Sequence, residues 1–218
     1  MDPIPLTELN AKKGPELFRE SISLDQKTAK ALGRGLRQQV FKSTVLDNMC
    51  LKAKELRGIE EVDQAWINFI STSVETIRDT LENLETAKEV RLVIRQINHP
   101  STDQKWEFYF PDKEKEDTEA LDEERERPKI PEESDILIDK NLSAKLESAI
   151  SHHFGNPFVP IRGFAELIQT RSGKIEAKKI ASDILSSYNE VNSSFEQLRK
   201  GENEILLETD SNGDTKII

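Results

Sequence analysis

Cysteine is nearly absent from this chain of 218 residues: Cys50 stands alone. That excludes an intrachain disulfide and a cysteine-built metal site within one chain. Its small side chain reads as an apolar filler rather than a redox group. Aromatic residues are scarce at 6%, which argues against a large sheet core. No apolar run approaches the ~20 residues needed to cross a bilayer. The opening stretch "MDPIPLTELNAKKG" lacks the charged start and apolar centre of a signal peptide. Positive charge is in deficit, with 31 Lys and Arg against 41 Asp and Glu and a formal net charge of -10. This argues against broad nucleic-acid binding, where a basic face supplies most of the affinity. These absences predict a cytoplasmic protein with neither a nucleic-acid nor a membrane partner.

What is present is charge and amphipathic patterning. Charged residues make up 33% and hydrophobic ones 35%, with a mean hydropathy of -0.62. Long helices that each bury one stripe have this composition. Residues 1–14 read as a flexible arm, and 15–104 as an N-terminal helical region. Within it a helical pattern runs from Leu17 to Arg57, with a break expected near Gly33 and Gly35. A longer helix is expected over 59–98. Its apolar residues Val62, Trp66, Ile70, Val74, Ile77, Leu81 and Leu84 recur at threes and fours, as do Val90, Ile94 and Ile97. Pro100 ends it. Residues 1–58 hold eleven basic and seven acidic side chains, a net of +4 that reads as a solvated helix face.

Residues 105–137 combine the aromatic patch "KWEFYF" with an acidic run. Residues 112–135 carry twelve acidic against five basic side chains, the composition of a solvated linker, and the domain boundary is placed here. The patch could be a short strand or a plug on the helices. Residues 138–200 are more orderly. Ala177, Ala181, Ile184, Tyr188, Val191, Phe195 and Leu198 alternate spacings of four and three, a three-heptad seam. Ile150, Phe154, Pro157, Ile161, Phe164 and Ile168 form another. The polar "TRSGK" between them predicts an antiparallel helical hairpin. One hairpin has too little core to stand alone. A four-helix bundle formed by a homodimer is therefore expected, unless the N-terminal helices supply the missing half. Residues 201–218 form a tail with a β-hairpin signal at Asn212-Gly213. The predicted class is all-α, with this small C-terminal β-hairpin as the one addition.

Two of the three histidines, His152 and His153, stand directly before Gly155, Pro157 and Pro160. At 100° per residue, His152 points away from the seam through Ile150 and Phe154, and His153 lies on a flank. Pro157 cannot donate to the carbonyl of His153, nor Pro160 to that of Asn156, so a kink is expected just after the histidines. Gly155 lowers the cost of that distortion. Asn156, four residues beyond His152, is its neighbour on the same face.

The stretch "SHHFGNPFVPIRGFAELI", 151–168, resembles the H-box of the histidine kinase dimerisation and phosphotransfer domain. Ser151, His152, Phe154, Asn156, Pro157, Ile161, Gly163, Phe164, Glu166 and Leu167 carry the likeness, which covers about 138–200. The resemblance implies that His152 is the phosphoacceptor, exchanging phosphoryl groups with an aspartate on a response-regulator receiver domain. It implies that Asn156 orients a water for hydrolysis of phospho-aspartate, and that the bend at Pro157 belongs to the site. Two positions depart from the pattern. His153 stands where the family has an acid that orients the imidazole, and Gly155 replaces a larger polar residue. The nucleotide-binding boxes that follow this hairpin in histidine kinases have no counterpart here. No phosphate-binding glycine pattern is present either, so no autophosphorylation from ATP is expected. No cofactor is expected in the chain, magnesium belonging to the receiver partner, and no metal site either, since adjacent helical histidines seldom share one ion. The expected function is phosphorelay signalling, by phosphotransfer or receiver-directed phosphatase action. The alternatives are a non-catalytic dimeric adaptor that keeps a degenerate form of the domain, and a helical scaffold with an accidental likeness.

Overall fold

The computed structural model of the protein describes residues 18–95, 105–111, 134–199, 205–210 and 214–218. Its first half runs β1 (Phe18–Leu24), α1 (Gln26–Gly35), a π-helical segment (Leu36–Val40), α2 (Ser43–Arg57), α3 (Gln64–Thr86), β2 (Val90–Arg95) and β3 (Glu107–Tyr109). Its second half runs β4 (Ser134–Ile138), α4 (Lys140–Ile150), a second π-helical segment (Ser151–Gly155), α5 (Asn156–Arg171), α6 (Ile175–Arg199), β5 (Ile205–Thr209) and β6 (Thr215–Ile217). Helix starts follow from local chemistry. Asp25 caps α1 by accepting from the Thr28 amide and hydroxyl, Asp63 caps α3 through the Ala65 amide, and Asp139 caps α4 through the amides of Asn141 and Leu142. Among the described residues no helix is long and apolar enough to cross a membrane.

The described residues are mostly helical, but the all-α expectation is met only in part. Two three-stranded antiparallel sheets are present, ordered β1-β2-β3 and β4-β5-β6. The helix expected over 59–98 stops at Thr86, and Val90 and Ile94 lie in a strand. Leu92, Val93 and Ile94 are buried in succession. A helix cannot bury three consecutive side chains on one stripe, whereas a strand covered on both faces can. Likewise β1 replaces the start of the helix expected from Leu17. The aromatic patch contains strand β3, and β4 occupies the end of the expected linker. The C-terminal hairpin strands pair as expected, Leu207 opposite Ile217. The arm 1–14, Ile97, Pro100, the acidic run over 112–133 and the Asn212-Gly213 pair lie outside the described residues.

Helices α2, α3, α5 and α6 pack as a closed ring, each touching the next: α2 on α3, α3 on α5, α5 on α6 and α6 on α2. The N-terminal helices therefore supply the other half of the bundle within one chain, the condition under which no second copy is needed to complete it. The segment 105–137 separates no cores, since residues from both sides of it enter one continuous cluster. The seam of α6 holds: Ala177, Ala181, Ile184, Tyr188, Val191 and Phe195 are buried. So does that of α3, from Ile70 to Leu84. In α5 the stripe shifts by one residue at two places. Phe158 and Ala165 are buried, while Pro157 and Phe164 sit half-buried on the flank.

The two halves meet at an aromatic junction. Phe41 stacks on Phe154 with ring centroids 4.8 Å apart, and its ring also lies 6.3 Å from Phe158 and 5.9 Å from Phe195. Phe158 stacks in turn on Tyr188 at 4.2 Å. Beyond area burial, each such pair contributes about 1 kcal/mol. The break expected near Gly33 and Gly35 does not occur there, because helical geometry continues through both to Val40. The glycines serve close packing instead. A Cβ on Gly33 would lie 2.9 Å from the Cβ of Leu84, so α1 rests on α3 at backbone distance.

Two variants test this packing by urea unfolding. Phe41→Ala should cost about 3–5 kcal/mol, against a change within about 0.5 kcal/mol for Leu51→Ala on the exposed face of α2. Gly33→Ala should destabilise by about 1–3 kcal/mol through overpacking, although alanine is the better helix former. A stabilising Gly33→Ala would contradict the close approach of α1 and α3.

Candidate functional site

The second π-helical segment carries both histidines. The prolines place the disturbance one turn upstream of where it was expected: the widened turn is Ser151–Gly155 itself, and α5 resumes at Asn156 with Pro157 in its first turn. Pro160 lies inside α5 without ending it. The prolines are not the whole cause. The first half has a π segment at Leu36–Val40, closed by a 2.8 Å bond from the Phe41 amide to the Leu36 carbonyl, and "LRQQV" contains no proline.

His152 and Asn156 are brought together as their spacing predicts, with Asn156 Nδ2 3.1 Å from His152 Nδ1. The far side of the ring, turned away from the seam through Ile150 and Phe154, is covered by a strand rather than open to solvent. Strand β3 crosses over the histidines and sets Glu107 Oε1 3.2 Å from His152 Nε2. The imidazole keeps only 27% of its exposure and the Glu107 side chain 16%. A carboxylate accepts and cannot donate, so in the neutral ring Nε2 holds the proton and Nδ1 the lone pair. The Asn156 amide, pointing its Nδ2–H at Nδ1, completes a consistent set.

His153 has a different task. Its Nε2 accepts a 2.9 Å hydrogen bond from the Phe108 amide, and its ring lies 5.5 Å from that of Phe108. Just before β3, the Trp106 amide donates to Ser148 Oγ at 3.1 Å, and Lys145 Nζ sits 4.9 Å over the Trp106 ring. Strand β3 is thus held by α4 and the second π segment together. The carboxylate beside His152 thus comes from Glu107, 45 residues upstream of it in the chain. Gly155 has open room, with nothing within 4 Å of a Cβ built on it, so its glycine is not required by packing. Pro157 is half-buried beside the site.

Glu107 was missed by sequence reasoning, which treated "KWEFYF" as an aromatic feature. Its signal was the single carboxylate flanked by Trp106 and Phe108, an acid set where its neighbours must be covered. No family model, curated protein or solved structure matches this chain.

The arrangement makes a spectroscopic prediction. In neutral protein, ¹⁵N shifts of His152 should report the Nε2–H tautomer, and Glu107→Ala should relax that preference toward a mixture. An Nδ1–H tautomer in the parent protein would contradict the assigned contacts.

Proposed function

We propose that this chain is a phosphorelay protein, exchanging phosphoryl groups between His152 and the aspartate of a response-regulator receiver domain, without charging itself from ATP. The observation that carries the reading is the Glu107–His152–Asn156 alignment, which restores from β3 the acid lacking at residue 153. In this arrangement the nucleophilic atom is Nδ1. The neutral ring attacks the phosphorus of the receiver's aspartyl phosphate, an N–P bond forms, and the receiver carboxylate leaves with its electron pair. Glu107 holds the Nε2–H throughout and balances the charge that builds on the ring. Magnesium acts on the receiver's side, and none of this chain's residues is assigned to it.

Asn156 must turn away before Nδ1 is free, so its amide stands between two outcomes. Bound to Nδ1 it restrains transfer. Turned outward, it is placed to orient a water against a docked aspartyl phosphate.

A second reading, a receiver-docking adaptor without chemistry, is favoured by one observation: both ring nitrogens of His152 already have partners in the structure.

Labelled phosphate on a panel of purified receiver domains separates the two. Transfer should give acid-labile label on the parent chain and none on His152→Ala. Asn156→Ala should raise the rate of labelling about fivefold, the worth of one hydrogen bond, while slowing loss of receiver phosphate to water. Receiver binding with neither label nor accelerated loss would overturn phosphotransfer and leave the adaptor.

A further inference from the structure

The two halves repeat one order of elements: strand, helix, π segment, helix, long helix, strand, strand. The repeat is metrical as well as topological. The capping aspartates 25 and 139 and the fully buried leucines 32 and 146 are each 114 positions apart in the chain. So are the pairs Gln38 with His152 and Gln39 with His153. In the sheets, the residue before each capping aspartate faces the first residue of the strand after the long helix, Leu24 opposite Val90 and Ile138 opposite Ile205. The halves also cross over. Helix α1 packs on β5 and β6, and α4 packs on β2 and β3.

The side chains at the paired positions do matching work. Gln39 Oε1 accepts from the Ile217 amide at 3.2 Å, as His153 Nε2 accepts from the Phe108 amide at 2.9 Å. Those two amides are themselves equivalent, since Phe108 lies opposite Leu92 in its sheet and Ile217 opposite Leu207 in the other. One residue earlier, Gln38 binds the same strand as Gln39. Its Oε1 accepts from the Thr215 amide at 2.7 Å and its Nε2 donates to Asp214 at 2.9 Å. His152 likewise binds Glu107 on the strand that His153 holds.

We infer that the chain is a tandem of one unit folded about an internal two-fold, in which the pairs Gln38–Gln39 and His152–His153 are equivalent clasps, each fastening the third strand of the opposite half. Three-residue strands paired along one edge have few ladder bonds of their own, and a side-chain acceptor at the π segment adds a bond where the ladder lacks one. The π segments follow from the same task. The widened turn projects two consecutive side chains toward one strand, which a regular helix with 100° between neighbours does poorly. Residue 153 then serves as the acceptor for a strand amide, a job glutamine does in the other half. It follows that the bundle has one imidazole-bearing face and one glutamine-bearing face. Resting on the phosphorelay reading, this gives one phosphoryl site per bundle where two identical subunits would have two.

Amide hydrogen exchange on the full chain, followed by NMR at Phe108 and Ile217, tests the clasp with no reference to phosphate. His153→Leu should lower protection at Phe108 about tenfold and leave Ile217 unchanged, and Gln39→Leu should do the reverse, the loss expected for one hydrogen bond. The exchanged pair His153→Gln and Gln39→His should keep both amides within about threefold of the parent, since each new side chain still offers an acceptor. Ile77 in α3 reports global unfolding. If a leucine variant loses protection there too, the exchanged pair decides. Overturning results are an exchange that costs as much as leucine, or Gln39→Leu leaving Ile217 protected in a folded chain.

Discussion

A two-helix hairpin carries one apolar stripe on each helix and has no interior deep enough to cover both. That constraint governs this molecule. Helices α5 and α6 can bury Ile161, Ala165, Ile184 and Val191 only against a second hairpin, and α2 and α3 meet the need. Once the hairpins face each other, Phe41 from the first half falls among Phe154, Phe158 and Phe195 of the second. Polar contacts follow the same seam, such as Asn48 Nδ2 to Ser187 Oγ at 2.9 Å. The exposed ion pairs across it, Lys42 with Glu190 and Lys52 with Asp183, add little by comparison.

The site is a by-product of that closure. With the bundle shut inside one chain, α4 lies against the sheet of the other half, and β3 arrives over the histidines. The same crossing that anchors β3 to His153 brings Glu107 to His152. A structural acceptor and a candidate nucleophile thus share one widened turn, and each needs a neutral imidazole: His153 to accept from the Phe108 amide, His152 to keep a lone pair on Nδ1. The proposed chemistry and the anchoring of the strand therefore draw on the same protonation state.

Much of the bundle could be read from spacing. The seams of α3 and α6 keep their threes and fours without interruption, and the polar turn between α5 and α6 is plain in "TRSGK". The strands were harder. Val90 and Ile94 stand four apart, which fits a helix as well as a strand. The deciding feature was the unbroken apolar run Leu92-Val93-Ile94, a mark of burial on both faces. Asn156 beside His152 was legible because helical neighbours four apart must meet. Glu107 was not, because its partner is 45 residues away and reaches the site only through the crossing of the two halves. The tandem is nearly silent in sequence: Asp25 with Asp139 and Leu32 with Leu146 survive, while Gln38–Gln39 and His152–His153 share no residue type. What Gln39 and His153 share is an acceptor atom at the right reach, visible only in three dimensions.

The central claim, that one chain closes its own four-helix bundle, is tested most directly by a distance measured within single molecules. Spin labels on Lys54→Cys in α2 and Ser186→Cys in α6, in a chain with Cys50→Ala, would be unfolded and refolded with a large excess of unlabelled protein. The account predicts one short distance, unchanged by the dilution, because both labels belong to the same bundle. Loss of that short distance on dilution would show that the second hairpin comes from another chain and would contradict it.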